Sequence, residues 1–328
     1  MPPSGTTTDK NGARASLLAS GGLEARAPIS GQTMLFTTMA QQLDKLVLFG
    51  MNRLVPDSLA ESYHDAPDLA EVLAETRVDR CKTAVYALTA PGEHIVTLQT
   101  RQGELPCRVR VRPTVDPQAP LILYHHGLNE YPYTGSWSRI FRQPIPFPAH
   151  TVCIQAPHHD HWLDPFSKGF VSLANIYQMF AASLRLMDLV QSEFEAQGAA
   201  YTIAAGVSWG GITSLLYEAF FRCTRAVVPM VCSPDLAQVM WDTADLFGRE
   251  MPIPYDRLKE LLDFTDYYGC CQEEKIFPLM GEYDLFFRRA HHWQRPSVTI
   301  PEGHITALWR VAPLREHILQ VLQWAGEQ

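Results

Sequence analysis

Tyr201-Thr202-Ile203-Ala204-Ala205-Gly206-Val207-Ser208-Trp209-Gly210-Gly211-Ile212 is the stretch whose reading decides the architecture. Tyr201–Gly206 is a short, nearly continuous apolar run, as expected of a strand buried on both faces. From Gly211 to Phe221 the apolar residues follow a helical period instead. Between the two stands Ser208, with Gly206 two residues before it and Gly210 two after. Small residues at those positions let a strand and a helix approach closely across a sharp turn. The helix N-terminus then aims backbone N–H groups at the serine.

Outward from this turn the same alternation repeats. Upstream, Ala119–His125 and Thr151–Gln155 read as strands. Phe170–Gln197 reads as a long helix, because Leu173, Ile176, Phe180, Leu184, Met187, Val190 and Phe194 step by three or four. Gly198 stands where a C-terminal cap belongs. Downstream, Ala226–Val231, Lys275–Met280 and Ser297–Ile300 read as strands, and Ala312–Trp324 as a helix. Strands alternating with helices predict an α/β fold: a mostly parallel sheet with helices on both faces. Ligands of such sheets bind beyond the carboxyl ends of the strands, so reactive residues are expected just after each apolar run. Before this region, His94–Thr100 and Leu105–Arg112 alternate around Arg101–Glu104 and read as a hairpin.

Residues 1–33 read as a disordered tail, rich in Ser, Thr, Gly and Ala. A helical extension is expected over 34–80. It has one helix over Met34–Leu54, stopped by Pro56, and a second over Asp68–Thr76. The main domain is then 81–328, interrupted by a helical insert at 235–271.

The chain has 328 residues, of which 46% are hydrophobic, enough for a large core. Its 27 basic and 35 acidic residues leave a net charge of −8, which disfavours nucleic acid as a partner. No apolar run approaches the roughly 18 residues of a membrane span. Seven cysteines, an odd number with no C-x-x-C pair, fit neither a zinc pattern nor a disulfide framework. With no signal-peptide core near residue 1, the expected location is cytoplasmic.

Three residues fall where chemistry is expected. Ser208 sits in a G-x-S-x-G turn, His304 follows the last strand, and Asp284 follows the strand before it. A neutral imidazole can take a serine proton and later return it, and a carboxylate can fix the imidazole's tautomer. Glu282 and Asp235, also placed after strands, compete with Asp284 for the acid position. The chain order Ser, Asp, His differs from both common serine-protease orders. His125-His126-Gly127-Leu128 follows the first buried strand, so the N–H groups of Leu128 and Trp209 are the candidate oxyanion donors. His126, Gly127, Tyr131, Trp137, His158, Trp162 and Trp241 are the candidate pocket residues. His158-His159-Asp160-His161 lacks zinc-hydrolase spacing because its first two histidines are adjacent, so no metal is expected.

The segments H-H-G at 125–127, G-V-S-W-G-G at 206–211, G-E-Y-D at 281–284 and E-G-H at 302–304 resemble the α/β-hydrolase superfamily. In style they are most similar to its dienelactone-hydrolase and prolyl-oligopeptidase-like branches. The resemblance covers about residues 84–326. It implies an eight-stranded, mostly parallel sheet with a short helical lid. It also implies cofactor-free hydrolysis of a small acyl substrate (an ester, thioester or lactone) through an acyl-enzyme. An acyltransferase using the same three residues, and a non-catalytic binding protein on this scaffold, are the rival readings. Assembly into a homo-oligomer is left open. Trp209 is bulky where the family often carries Met, Gln or Leu, which is expected to narrow the acyl side of the pocket.

Overall fold

The structure is a computed structural model that describes residues 31–142, 147–289 and 296–328. The tail expected over 1–33 lies almost wholly outside the described residues.

Among the described residues nine strands form one sheet. They are β1 (Arg77–Val78), β2 (Gly92–Thr100), β3 (Gly103–Arg112), β4 (Leu121–His125), β5 (His150–Ile154), β6 (Thr202–Val207), β7 (Ala226–Met230), β8 (Leu279–Gly281) and β9 (Val298–Ile300). Their spatial order is β1-β2-β3-β5-β4-β6-β7-β8-β9. The first three run antiparallel to their neighbours, and from β5 onward every pairing is parallel. This is an α/β-hydrolase fold, and it corrects the expected eight strands to nine. The extra strand is β1, whose two residues pair with Leu98 and Gln99 and are too short to show a period in sequence. Strand β8 is shorter than the expected Lys275–Met280. Glu273–Lys275 is a 3-10 turn, Ile276 makes only an isolated bridge, and Pro278 has no N–H to give to a ladder.

The helices that matter are α1 (Gly31–Leu54), α2 (Leu69–Glu75), α3 (Gly135–Ile140), α4 (Leu173–Ala196), α5 (Trp209–Phe221), α6 (Leu236–Leu246), α7 (Tyr255–Leu262), α8 (His304–Trp309) and α9 (Ala312–Gly326). Asp68 caps α2 by accepting from the Ala70 and Glu71 N–H groups. Ser172 caps α4 by accepting from Asn175, so the long helix begins at Leu173 rather than at Phe170. No helix among the described residues is long and apolar enough to cross a membrane.

Strand β4 shows how the sheet divides the core. Leu121 and Leu123 point to a layer with α2, α4 and α5, while Ile122 and Tyr124 point to a layer with α3 and α9. The chain leaves β4 for β5 on one side, and β6 lies on the other. The carboxyl ends of β4 and β6 therefore flank the point where strand order reverses, which is where such sheets leave a crevice.

Candidate active site

Strand β6 ends at Val207, and Ser208 turns the chain into α5 with φ 53° and ψ −122°. That is an uncommon conformation for a residue with a side chain. The Ser208 N–H holds the turn to β7 by donating to the Met230 carbonyl at 2.9 Å. The flanking glycines are a steric requirement. A Cβ at Gly210 would lie 2.1 Å from the His125 carbonyl oxygen, and one at Gly206 would lie 2.2 Å from the Gly210 oxygen. The end of β4, the turn and the first turn of α5 are thus pressed backbone to backbone.

His304 opens α8 just beyond β9, and Asp284 follows β8. His304 Nε2 lies 3.1 Å from Ser208 Oγ, and its Nδ1 lies 2.9 Å from Asp284 Oδ2. A carboxylate only accepts, so Nδ1 carries the proton and Nε2 is left to accept from the serine hydroxyl. The other Asp284 oxygen accepts from the Phe286 and Phe287 N–H groups at 2.7 and 2.9 Å. Phe286 stacks on the imidazole with centroids 4.2 Å apart. All three polar side chains are buried, Ser208 being 9% exposed. Burial works to lower the His304 pKa. The Asp284 charge, its hydrogen bond and the charge of Asp44 outweigh it and hold the pKa above the usual histidine value. The two competing acids lie elsewhere. Asp235 caps α6 by accepting from Gln238 N–H, with Lys259 at 3.9 Å, and Glu282 is exposed.

The loop after β4 runs beside the serine, so that a Cβ on Gly127 would lie 3.5 Å from Ser208 Cβ. The backbone N–H groups of Leu128 and Trp209 make no hydrogen bond among the described residues. A half-buried acidic residue holds this loop in place. Glu130 accepts from the Gly127 N–H and from the Ser136 N–H and hydroxyl.

Ser208, His304, Gly127, Leu128 and Trp209 all face one cavity of about 360 Å³. Its walls are mainly apolar: Val47, Leu48 and Met51 from α1, Leu236, Val239 and Met240 from α6, and Phe166, Phe170, Ile212 and Phe287. Helix α6 and residues 249–253 therefore border the site. Of the seven candidate pocket residues Gly127 lines this cavity, and the other six lie outside its lining. Trp137 is turned into the core on α3, with the Arg112 guanidinium 4.2 Å over its ring. His126 is buried, accepting from Ala156 N–H on Nε2 and donating from Nδ1 to the Gly127 carbonyl. Tyr131 and Trp162 are exposed and pack beside His161. His158 is half-buried at a positive φ of 60° away from the cavity, and Trp241 packs on Tyr255. Trp209 does line the cavity, but its ring is stacked flat on Phe180 at 4.0 Å rather than across the space.

Sequence reading missed Asp44, Glu130 and the whole apolar wall supplied by α1. The sole trace of Asp44 in the sequence is an acidic residue inside an otherwise apolar helical stripe. Among the described residues, no group of three or more His, Cys, Asp or Glu is gathered to hold a metal ion.

No family model and no curated protein matches the sequence. Solved structures resemble the overall architecture at a distance. Est1E from Butyrivibrio proteoclasticus is 16% identical with a TM-score of 0.45, covering 70% of this chain and 99% of its own. A hyperthermophilic esterase from the archaeon Pyrobaculum calidifontis is 14% identical with a TM-score of 0.44, covering 92% and 97%. An enol-lactonase from Burkholderia xenovorans LB400 is 16% identical with a TM-score of 0.42, covering 67% and 97%.

Proposed function

We propose that the chain is a serine hydrolase of carboxylic esters, thioesters or lactones with an apolar acyl group, akin in motif style to the dienelactone-hydrolase and prolyl-oligopeptidase-like branches. The observation that carries this reading is the continuous relay from Asp284 through His304 to Ser208 at the wall of an apolar cavity. Ser208 Oγ attacks the substrate carbonyl carbon as its proton passes to His304 Nε2. The oxyanion is received by the Leu128 and Trp209 N–H groups. The leaving alcohol or thiol departs with the proton from His304, and the acyl group remains on Ser208. Water then attacks the acyl-enzyme, giving its proton to His304, and the acid is released as the serine is re-protonated. Asp284 keeps the Nδ1–H tautomer and stabilises the imidazolium. The cavity exceeds twice the roughly 150 Å³ that holds a benzene, so it suits an apolar group of roughly ten heavy atoms. Helix α6 and the segment 249–253 that follows it act as the lid over it.

The test is turnover of p-nitrophenyl esters from acetate to decanoate. The medium-chain esters are expected to give the highest kcat/KM, and Ser208→Ala is expected to lower kcat at least about a thousandfold with the fold intact. Full activity in Ser208→Ala, or inertness of the wild type toward every ester, would overturn the reading. Release of acyl product mainly on an added alcohol or thiol rather than water would make it an acyltransferase.

A further inference from the structure

Asp44 is an aspartate in the middle of α1, more than two hundred residues before Asp284 and His304 in sequence, and it is completely buried. Its carboxylate accepts three backbone N–H groups from two separate segments, the loop after β8 and the first turn of α8. Oδ2 takes those of Leu285 at 3.1 Å and His304 at 2.9 Å, and Oδ1 takes that of Ile305 at 3.0 Å. Leu285 directly follows Asp284, so one carboxylate fastens the acid-bearing loop to the helix start that bears the histidine. The fit is close. A Cβ on Gly303 would lie 3.0 Å from Asp44 Oδ2 and 3.3 Å from Ala40 Cβ. A buried carboxylate without such donors is heavily disfavoured, and three N–H groups without an acceptor are equally so, which makes the contact specific rather than incidental.

We propose that Asp44 is a positioning residue of the reaction and that α1 is thereby a working part of the catalytic centre rather than an appendage to it. This rests on the reading of Ser208, His304 and Asp284 as the reacting set. Asp44 touches neither Ser208 nor the imidazole ring. It acts by setting the distance between the Asp284 and His304 backbones, and so the alignment of Nδ1 with Oδ2 and of Nε2 with Oγ. Misplacement of reacting groups by about 1 Å can reduce rate on the order of a hundredfold. Asp44 also adds a second negative charge near the ring. The charged groups acting on His304 are Asp284 at its ring and Asp44 from α1, while Glu302 on the histidine's own loop is engaged by Arg310 at 3.4 Å. Burial raises the Asp44 pKa, opposed by His304 and by the backbone donors.

The test compares wild type with Asp44→Asn, which keeps the shape but removes the charge and one acceptor. Rates are divided by the number of sites titrated with a fluorophosphonate, so that a smaller folded fraction does not count as a slower enzyme. The expected result is a fall in kcat per titrated site of about ten- to a hundredfold, KM within about threefold, and a lower apparent pKa for the rise of kcat/KM with pH. Gly303→Ala presses on the same contact without altering charge, and a fall of at least about threefold in kcat is expected there too. It decides the matter if Asp44→Asn does not fold. The proposal is overturned if kcat per site and the pH inflection stay at wild-type values in the variant that folds. Ser208→Ala keeps the two claims apart. If it is inactive while Asp44→Asn matches wild type, only the role of Asp44 is lost, and if it is fully active the reacting set itself is wrong.

Discussion

His125 Nε2 lies 2.9 Å from Ser183 Oγ, and His304 Nε2 lies 3.1 Å from Ser208 Oγ, so the described residues hold two buried serine–histidine pairs of nearly equal length. Their tautomers match as well. His125 donates from Nδ1 to the His126 carbonyl at 3.0 Å, and His304 donates from Nδ1 to the Asp284 carboxylate at 2.9 Å. The acceptor differs in kind, a neutral carbonyl against a negative carboxylate. Burial pushes the His125 pKa down to about 3, so its ring cannot take a proton from Ser183 near neutral pH. At His304 the two carboxylates reverse the same burial effect. The serines differ too. Ser183 is sealed inside α4, whereas Ser208 stands on a strained turn facing a cavity, beside two uncommitted N–H groups. A serine–histidine contact is therefore only a packing element until a charge, an opening and oxyanion donors surround it.

The comparison breaks most sharply at Asp284. Asp284→Asn gives His304 a neutral partner like that of His125 and no longer enforces the tautomer. A fall in kcat of about ten-thousandfold is expected with little change in KM. Steady-state kinetics check it, and a loss below tenfold would contradict the distinction drawn between the pairs.

Next in size is the response of stability to pH. His125 and His159 are held down to about 3 and about 4, and His126 well below its ordinary value, in each case chiefly by burial. The unfolded chain takes up protons on these rings below about pH 6.5, and the folded chain does not. Unfolding free energy should therefore fall as pH drops from 7 to 5.5, approaching about 1.4 kcal/mol per pH unit for each ring. His304 has the opposite sign. Its contribution is present below about pH 6.5 and lost as pH rises through its raised folded value. Urea unfolding at pH 7, 6.2 and 5.5 measures the balance, and a rise in stability over that range would show the three rings are not held neutral.

The smallest effect is expected at the inert pair. Ser183→Ala should leave kcat/KM within twofold and lower unfolding free energy by about 1 kcal/mol, since it removes one buried hydrogen bond and leaves His125 Nε2 without its donor. A large loss of activity there would mean the second pair is coupled to the reaction.

The turn at Ser208 was legible because its determinants are local: apolar run, two glycines and apolar helix all lie within about twenty residues. Asp284 and His304 were legible because a parallel sheet delivers whatever follows each strand to one edge. Asp44 was not, since nothing near it in sequence shows that its carboxylate meets backbone 241 to 261 residues away. The aromatic residues after β4 misled for a related reason. Nearness in sequence to the loop after β4 does not say which way a side chain turns, and α3 carries Trp137 into the opposite core layer from the cavity. The apolar wall from α1 resembled an ordinary amphipathic stripe, because a helix that packs on a sheet and one that lines a cavity bury the same kind of face.

Fluorophosphonate labelling of the folded wild-type protein at neutral pH, followed by peptide mapping, bears most directly on whether Ser208 is the activated serine. One adduct is expected, on the peptide containing Ser208, absent in Ser208→Ala and retained in Ser183→Ala. No adduct on the folded protein, or an adduct elsewhere that survives Ser208→Ala, would contradict it.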